Sequence, residues 1–240
     1  LMADALAYVS GAPEVVMSYP YVSEKTRAEY RYYLSFARRV IDTGAYPDHE
    51  TIRHFRFVSA LAGRAIPPKP TRIEWRAQEL PAPLNAGKPY VLFNAGANEP
   101  GRRWPIAAYV ALARALKEKG NMCVFVGFRP AAKAANIKNR AGGKPPDHSI
   151  WAPSRPGHAD DPAFARLLAE PDVVDWRGQT GLVRLMDLMA GAQLVVSNDS
   201  GPAHLAIALG RPTVVFAGGG HFGCFVPYPE ALSPANARFL

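Results

Sequence analysis

Two textures of hydrophobic patterning divide the chain. Before Pro67 the apolar positions recur at three- and four-residue intervals, the spacing of one helix face. Residues 23–40 open on the capping pair Ser23-Glu24 and then carry Tyr30, Tyr33, Leu34 and Ala37 at that spacing, which predicts a helix over the stretch. Residues 48–61 repeat the pattern with Ile52, Phe55 and Val58 on one face. Ile66-Pro67-Pro68-Lys69-Pro70 ends this texture, and residues 81–88, rich in Pro and Gly, read as a linker.

After the linker, short apolar runs alternate with helical spacing. Strands are predicted over residues 90–93, 122–126, 173–175, 194–196 and 213–216, and helices over 106–119, 161–169, 182–190 and 202–209. Gly120 supplies the stop for the first of these helices. Residues 129–156 are polar and rich in Gly and Pro, and read as a long loop or insertion. Strands of buried type alternating with helices imply a parallel sheet with helices on both faces. The expected fold class is therefore α/β, with a parallel domain over 85–240 and a smaller, helix-rich part over 1–84.

Composition narrows the picture. With 240 residues, 48% of them hydrophobic and 20% charged, the chain is that of an ordinary globular protein with a real core. No apolar run approaches the ~20 residues that span a bilayer. Leu1-Met2-Ala3-Asp4 has no basic stretch ahead of an apolar core, so no secretion signal is expected. Two cysteines, Cys123 and Cys224, stand far apart with no disulfide or zinc spacing, which suits a reducing cytoplasm. A net charge of +8 suits an anionic partner: nucleotide phosphates, a lipid headgroup surface or nucleic acid. The Lys and Arg residues form no compact run, so no nucleic-acid partner is expected.

Four segments carry candidate chemistry. Ser197-Asn198-Asp199-Ser200-Gly201-Pro202-Ala203-His204 follows a predicted strand and opens a predicted helix. Asp199 or Ser200 suits the cap, Gly201 admits a close approach, Pro202 suits the first turn, and His204 lies within it. Uncapped N–H groups at such a helix start favour an anion. The same pattern equally suits a plain capped helix with a buried His. The stretch from Asn94 to Pro105 also joins a strand to a helix, and its Arg102 and Arg103 suit phosphate oxygens. Its other reading is a solvated basic loop over a packed Trp104. Gly178-Gln179-Thr180-Gly181-Leu182 and Gly218-Gly219-Gly220-His221 each suit either a turn or a ligand contact. There is no P-loop and no Gly-x-Gly-x-x-Gly after the first strand of the domain, which argues against ATPase and dinucleotide oxidoreductase readings.

In order, the segments resemble glycosyltransferase family 9, the heptosyltransferase group: a strand followed by Gly-Ala, an Arg-Arg-Trp-Pro element, Gly-x-Thr-x-Leu, then Ser-Asn-Asp-Ser-Gly-Pro-x-His. The resemblance covers about residues 90–216. Residues 1–19 also resemble the middle of that family's N-terminal domain. The resemblance implies a bacterial enzyme of the GT-B type, with two Rossmann-like domains, inverting, and needing no metal or cofactor. It implies a nucleotide-diphosphate sugar as donor, with the sugar a heptose or a relative, and a lipid-linked or cell-envelope glycan as acceptor. The implied location is cytoplasmic, at the inner face of the inner membrane.

The resemblance also assigns residues. Arg102, where the family usually has Lys, implies a phosphate contact. Asp199, Ser200, Gly201 and His204 imply the lining of the donor diphosphate and sugar, and Thr180 a place near the base. Asn98, on the same loop as Arg102, joins the donor-binding set. The family's ribose-side Glu has no match in Gly127-Phe128-Arg129, which leaves the nucleotide open. The family's catalytic Asp sits in the first Gly-rich loop of the N-terminal domain. No segment before Leu84 reads as that strand and turn, so the base is expected outside this chain. The alternative is a non-catalytic nucleotide-sugar-binding module.

Overall fold

A computed structural model describes residues 2–19, 27–44, 47–97, 100–127, 161–218 and 222–240. They fall into two compact units, one of residues 1–70 with 221–233, the other of 71–220 with 234–240. The second unit begins earlier than the boundary expected at residue 85. Residues 71–80 form no helix or strand but are tied down: Ile73 N–H donates to Ala208 O at 2.8 Å, and buried Asp187 accepts from Trp75 Nε1 at 2.9 Å and Gln78 N–H at 3.1 Å.

The first unit contains helix α1 (Met2–Val9), strand β1 (Val16–Ser18), helix α2 (Arg27–Leu34), strand β2 (Arg39–Ile41) and helix α3 (Glu50–Ala62). The strands pair in parallel, with Met17 opposite Val40. The single helix expected over 23–40 is thus corrected. It ends at Leu34, where Ser35 N–H bonds back to Arg31 O and Tyr32 O, and the chain then runs into β2. Ser23 and Glu24 lie outside the described residues.

α3 matches the helix expected over 48–61, and its cap is a histidine. His49 Nδ1 accepts from Thr51 N–H at 3.2 Å, so the ring proton sits on Nε2 and is donated to Phe225 O at 2.8 Å. His49 is 5% exposed, and burial holds its pKa below the ordinary imidazole value against the opposing pull of Phe225 O and Glu50. Glu50 N–H adds a bond to Cys224 O, so residues 224–225 are fastened to the start of α3. Gly63, left-handed at φ 64°, ends the helix.

The second unit is a three-layer α/β/α sandwich. Its elements are β3 (Tyr90–Asn94), α4 (Ile106–Glu118), β4 (Met122–Phe125), α5 (Pro162–Leu168), β5 (Val173–Asp175), α6 (Leu182–Gly191), β6 (Leu194–Asn198), α7 (Gly201–Ala208), β7 (Thr213–Phe216) and β8 (Ala237–Phe239). The six strands are all parallel, in the order β5-β4-β3-β6-β7-β8. Renumbered within the unit this is 3-2-1-4-5-6, the Rossmann order. The α/β, Rossmann-like class expected from the sequence is what the chain adopts. β8, which hydropathy did not signal, closes the sheet beside β7.

β3 is buried at every position because both its faces and both its edges are covered. Its side chains alternate between two cores. Val91 and Phe93 pack with Tyr109, Val110 and Ala113 of α4 and Phe164 and Leu167 of α5. Tyr90 and Leu92 pack with Leu188 and Met189 of α6 and Ala206 of α7. Phe93 stacks on Phe125 at 4.9 Å, and Phe164 meets Phe125 edge-on at 5.1 Å. Each such side chain contributes ~1.5–3 kcal/mol by leaving water. Cys123 is fully buried in this core, where burial pushes its thiol up to about 11.

Candidate functional site

β3 and β6 are neighbours, yet the chain leaves them for opposite faces of the sheet: β3 leads to α4 and β6 to α7. That divergence opens a crevice at the carboxyl ends of the two strands, the place where open α/β sheets receive ligands. The two strand-to-helix segments singled out in the sequence, 94–105 and 197–204, both end there.

Two asparagines cross the crevice floor. Asn94 Nδ2 donates to Ser197 Oγ at 3.0 Å, to Ser200 Oγ at 2.9 Å and, more weakly, to Gly96 O at 3.4 Å. Its Oδ1 reaches the end of β4, where a Cβ on Gly127 would lie 2.6 Å away; Gly127 also has φ +105°. Asn198, fully buried, donates through Nδ2 to Ala95 O at 2.7 Å and accepts at Oδ1 from Trp104 N–H and the Tyr109 hydroxyl, both at 2.9 Å. The carbonyl on one side and the N–H and O–H on the other fix the orientation of this amide. Burial raises the Tyr109 phenol above its ordinary range, so it stays a donor.

Ser200 is the N-cap residue of α7, but its side chain caps nothing. The hydroxyl accepts from Asn94 and donates to Asn198 O at 3.1 Å. Nor does Asp199 cap the helix: its carboxylate is 2% exposed, and Oδ1 has no hydrogen-bond partner. The expectation that one of these side chains caps α7 is therefore corrected, because the Ser200 hydroxyl is held by the β3 asparagine. In the first turn Pro202 has no N–H and Ala203 N–H donates to Ser200 O at 2.9 Å, while Gly201 N–H receives no cap from the Ser200 side chain.

An arginine and a histidine flank this helix start. Arg102 Nη1 lies 4.0 Å from Asp199 Oδ2, and His204 Nε2 lies 4.0 Å from Asp199 Oδ1. Arg102 closes a one-turn 3-10 segment, Pro100–Arg102. Trp104 lies flat on Phe216 of β7, ring centroids 3.8 Å apart, as the packed reading of that residue expected. After β7, a Cβ on Gly218 would come within 2.9 Å of Arg102 Cα and of Gly101 O, so the glycine lets the two loops touch. Arg103 turns inward, donating through Nε to Ala97 O at 2.8 Å.

The structure thus brings Arg102, Asp199, Ser200, Gly201 and His204 together at one helix start. Thr180 stands apart. It follows β5, three positions along the sheet from β6, and is half-buried ahead of α6. The turn that carries it is fixed by Gly178 N–H to Gly127 O at 2.7 Å and by an Asp175–Arg177 pair. Asn98 and residues 219–221 lie outside the described residues, as do Phe128, Arg129 and the loop expected over 129–156. Gly218 belongs to a segment read as a turn or a ligand contact, and Asn94 and Asn198 stand in the quoted segments without a role of their own; Tyr109 was not singled out. The available signal was a polar end to each of two apolar runs, Asn94 after Tyr90–Phe93 and Ser197-Asn198 after Leu194–Val196.

A Rossmann-ordered parallel sheet with a helix start and an arginine at its switch point defines a Rossmann-like α/β domain with its ligand crevice between β3 and β6. The chain belongs to glycosyltransferase family 9 (heptosyltransferase), whose family model matches residues 23–145 and 144–228. It is 33% identical over 143 residues to lipooligosaccharide heptosyltransferase 2 of Haemophilus ducreyi, covering 59% of this chain and 34% of that protein. It is 28% identical over 214 residues to lipopolysaccharide heptosyltransferase 2 of Escherichia coli K12, covering 80% of this chain and 52% of that one. The solved structure of E. coli ADP-heptose LPS heptosyltransferase II shares the fold, at a TM-score of 0.57 and 24% identity, over all of this chain and 65% of its own. The chain therefore spans about half or less of the curated relatives it matches.

Proposed function

We propose that this chain is the donor-binding half of a glycosyltransferase. The enzyme moves a sugar, a heptose or a close relative, from a nucleotide-diphosphate sugar to a lipid-linked glycan of the cell envelope. The observation that carries this reading is the start of α7: an N-terminus without a side-chain cap, at the switch point, with Arg102 and His204 beside it. Two phosphates are a suitable occupant, since the helix dipole and the Gly201 N–H attract an anion. The names of its relatives, all heptosyltransferases of lipopolysaccharide or lipooligosaccharide, support the sugar and the acceptor.

In this reading Gly201 offers an unhindered N–H to a phosphate oxygen, and Arg102 neutralises the diphosphate. Asp199 would repel phosphate, so its carboxylate is assigned to a sugar hydroxyl, from which it accepts. Ser200 contributes its backbone, its hydroxyl being engaged below. Thr180 lines the nucleotide end, and Asn98 is counted in the donor-binding set on the resemblance alone. A carboxylate outside this chain takes the proton of the acceptor hydroxyl, whose oxygen attacks the anomeric carbon opposite the leaving group. The sugar inverts, and the diphosphate departs with the bonding electrons, held by Arg102 and the helix start in place of a metal ion. The enzyme works in the cytoplasm at the inner face of the membrane, and the +8 charge suits anionic headgroups.

The test is calorimetry of the full-length protein against ADP-, UDP-, GDP- and dTDP-sugars. Turnover is then followed with and without EDTA, and the anomeric configuration of the product is read by NMR. Binding of none of the four overturns the donor site. Binding without turnover favours the non-catalytic module. A retained anomer or loss of activity in EDTA overturns the inverting, metal-free mechanism.

A further inference from the structure

We propose that Asn198 is a positioning residue that sets Arg102 for the donor diphosphate, an inference that rests on the donor-site reading. Asn198 is fully buried at the end of β6 and does not reach the crevice surface. Its side chain nevertheless holds both ends of the loop that bears Arg102. Nδ2 grips the loop's first carbonyl, Ala95 O, at 2.7 Å, and Oδ1 grips its last amide but one, Trp104 N–H, at 2.9 Å. A third bond, from the Tyr109 hydroxyl, ties the same oxygen to α4.

Without these bonds the eleven-residue excursion between β3 and α4 loses the ties at both its ends, and Trp104 on Phe216 and the contact at Gly218 are among the contacts that remain. The next residue after Asn198 is Asp199, whose Oδ2 lies 4.0 Å from Arg102 Nη1. One strand end therefore fixes the loop's backbone through its asparagine and faces the loop's guanidinium with its aspartate. A guanidinium on a loosened loop must be ordered again by each ligand, at a cost in affinity that a pre-set one avoids.

The experiment is a double-mutant cycle in the full-length protein between Asn198→Leu, close in size and able to make none of the three bonds, and Arg102→Ala. The probes are ADP, UDP, GDP and dTDP, read by calorimetry, with amide hydrogen exchange of the unliganded protein beside them. Asn198→Leu is expected to weaken nucleotide binding about tenfold, on the scale of one charge-assisted contact. In the Arg102→Ala background the same change should have almost no further effect, since residues acting through one contact are not additive. Exchange should rise at Trp104 and its loop but not in β3. Tyr109→Phe, which leaves both loop ends held, should lower the melting temperature and leave affinity unchanged.

Equal losses in both backgrounds, or exchange rising through the whole sheet, overturn the inference and leave Asn198 a core residue. A wild-type protein that binds none of the four nucleotides overturns the donor site and this inference together. Should Asn198→Leu not fold, Asn198→Asp takes its place. It keeps both acceptor bonds and loses the grip on Ala95, and the same loss of coupling to Arg102 is required of it.

Discussion

Gly201→Ala separates a binding glycine from a structural one, because the two roles predict effects of opposite sign. Gly201 begins α7, its φ is outside the left-handed region, and a Cβ built on it meets nothing within 4 Å. The folded state therefore accepts alanine without strain. The unfolded chain loses freedom, which stabilises by ~0.4–1 kcal/mol. For a protein of this size that raises the melting temperature by ~1–4 °C. Binding should go the other way. The added methyl stands at the mouth of the first turn, where a phosphate oxygen must come within ~2.9 Å of the Gly201 N–H. Loss of one charge-assisted hydrogen bond costs ~1.5–3 kcal/mol, about 10- to 150-fold in affinity. Thermal melts and calorimetric titration with the nucleotide that wild type binds best measure both. Unchanged affinity with a raised melting temperature places the ligand elsewhere. A lowered melting temperature with affinity intact per folded molecule makes the glycine structural.

Three further outcomes follow from the same geometry. Arg102→Ala should weaken nucleotide-sugar binding by ~1.5–3 kcal/mol, and His204→Ala by less; unchanged calorimetric affinity in Arg102→Ala rejects its phosphate role. Gly127→Ala should destabilise by ~1–3 kcal/mol through its left-handed backbone, with the new methyl also pressing on Asn94 Oδ1. Denaturant titration reads this, and Asn94→Ala in the same chain should recover part of the loss. His49 has its folded-state pKa lowered by burial. Its contribution to stability is fully present above the ordinary value of 6.5 and is lost as pH falls through the folded value. From about pH 8 to about pH 5 wild type should lose more stability than His49→Gln, and equal losses refute the assignment.

The second unit was legible in its sequence because its strands are buried on both faces. Tyr90-Val91-Leu92-Phe93 needs apolar side chains at every position, and a continuous run is easily seen. The first unit hid its strands. Val16–Ser18 and Arg39–Ile41 are three residues each and only partly buried, so Val40 could be read as the tail of a helix. Ala237–Phe239 is equally short and owes its conformation to β7, not to its own pattern. At the site, strand, turn and helix start were readable from Leu194 to His204. What Ser200 does with its hydroxyl was not, because the deciding partner, Asn94, is 106 positions away. Local patterning carries the cap hypothesis; only the folded sheet carries its competitor.

The chain passes from one unit to the other at residue 71, returns at 221 and crosses again at 234. The final strand of the Rossmann sheet is thus laid down only after an excursion through the other unit. Cutting the gene after residue 220 would not yield an autonomous second unit. It would remove β8, bare the hydrogen-bonding edge of β7 from Thr213 to Val215, and leave an open template for strand addition between molecules. A graft that exchanges this unit between relatives has to carry residues 71–220 and 234–240 as a pair, with 221–233 left to the host. A circular permutant that joins those two pieces directly is the form in which this unit has a chance of standing alone.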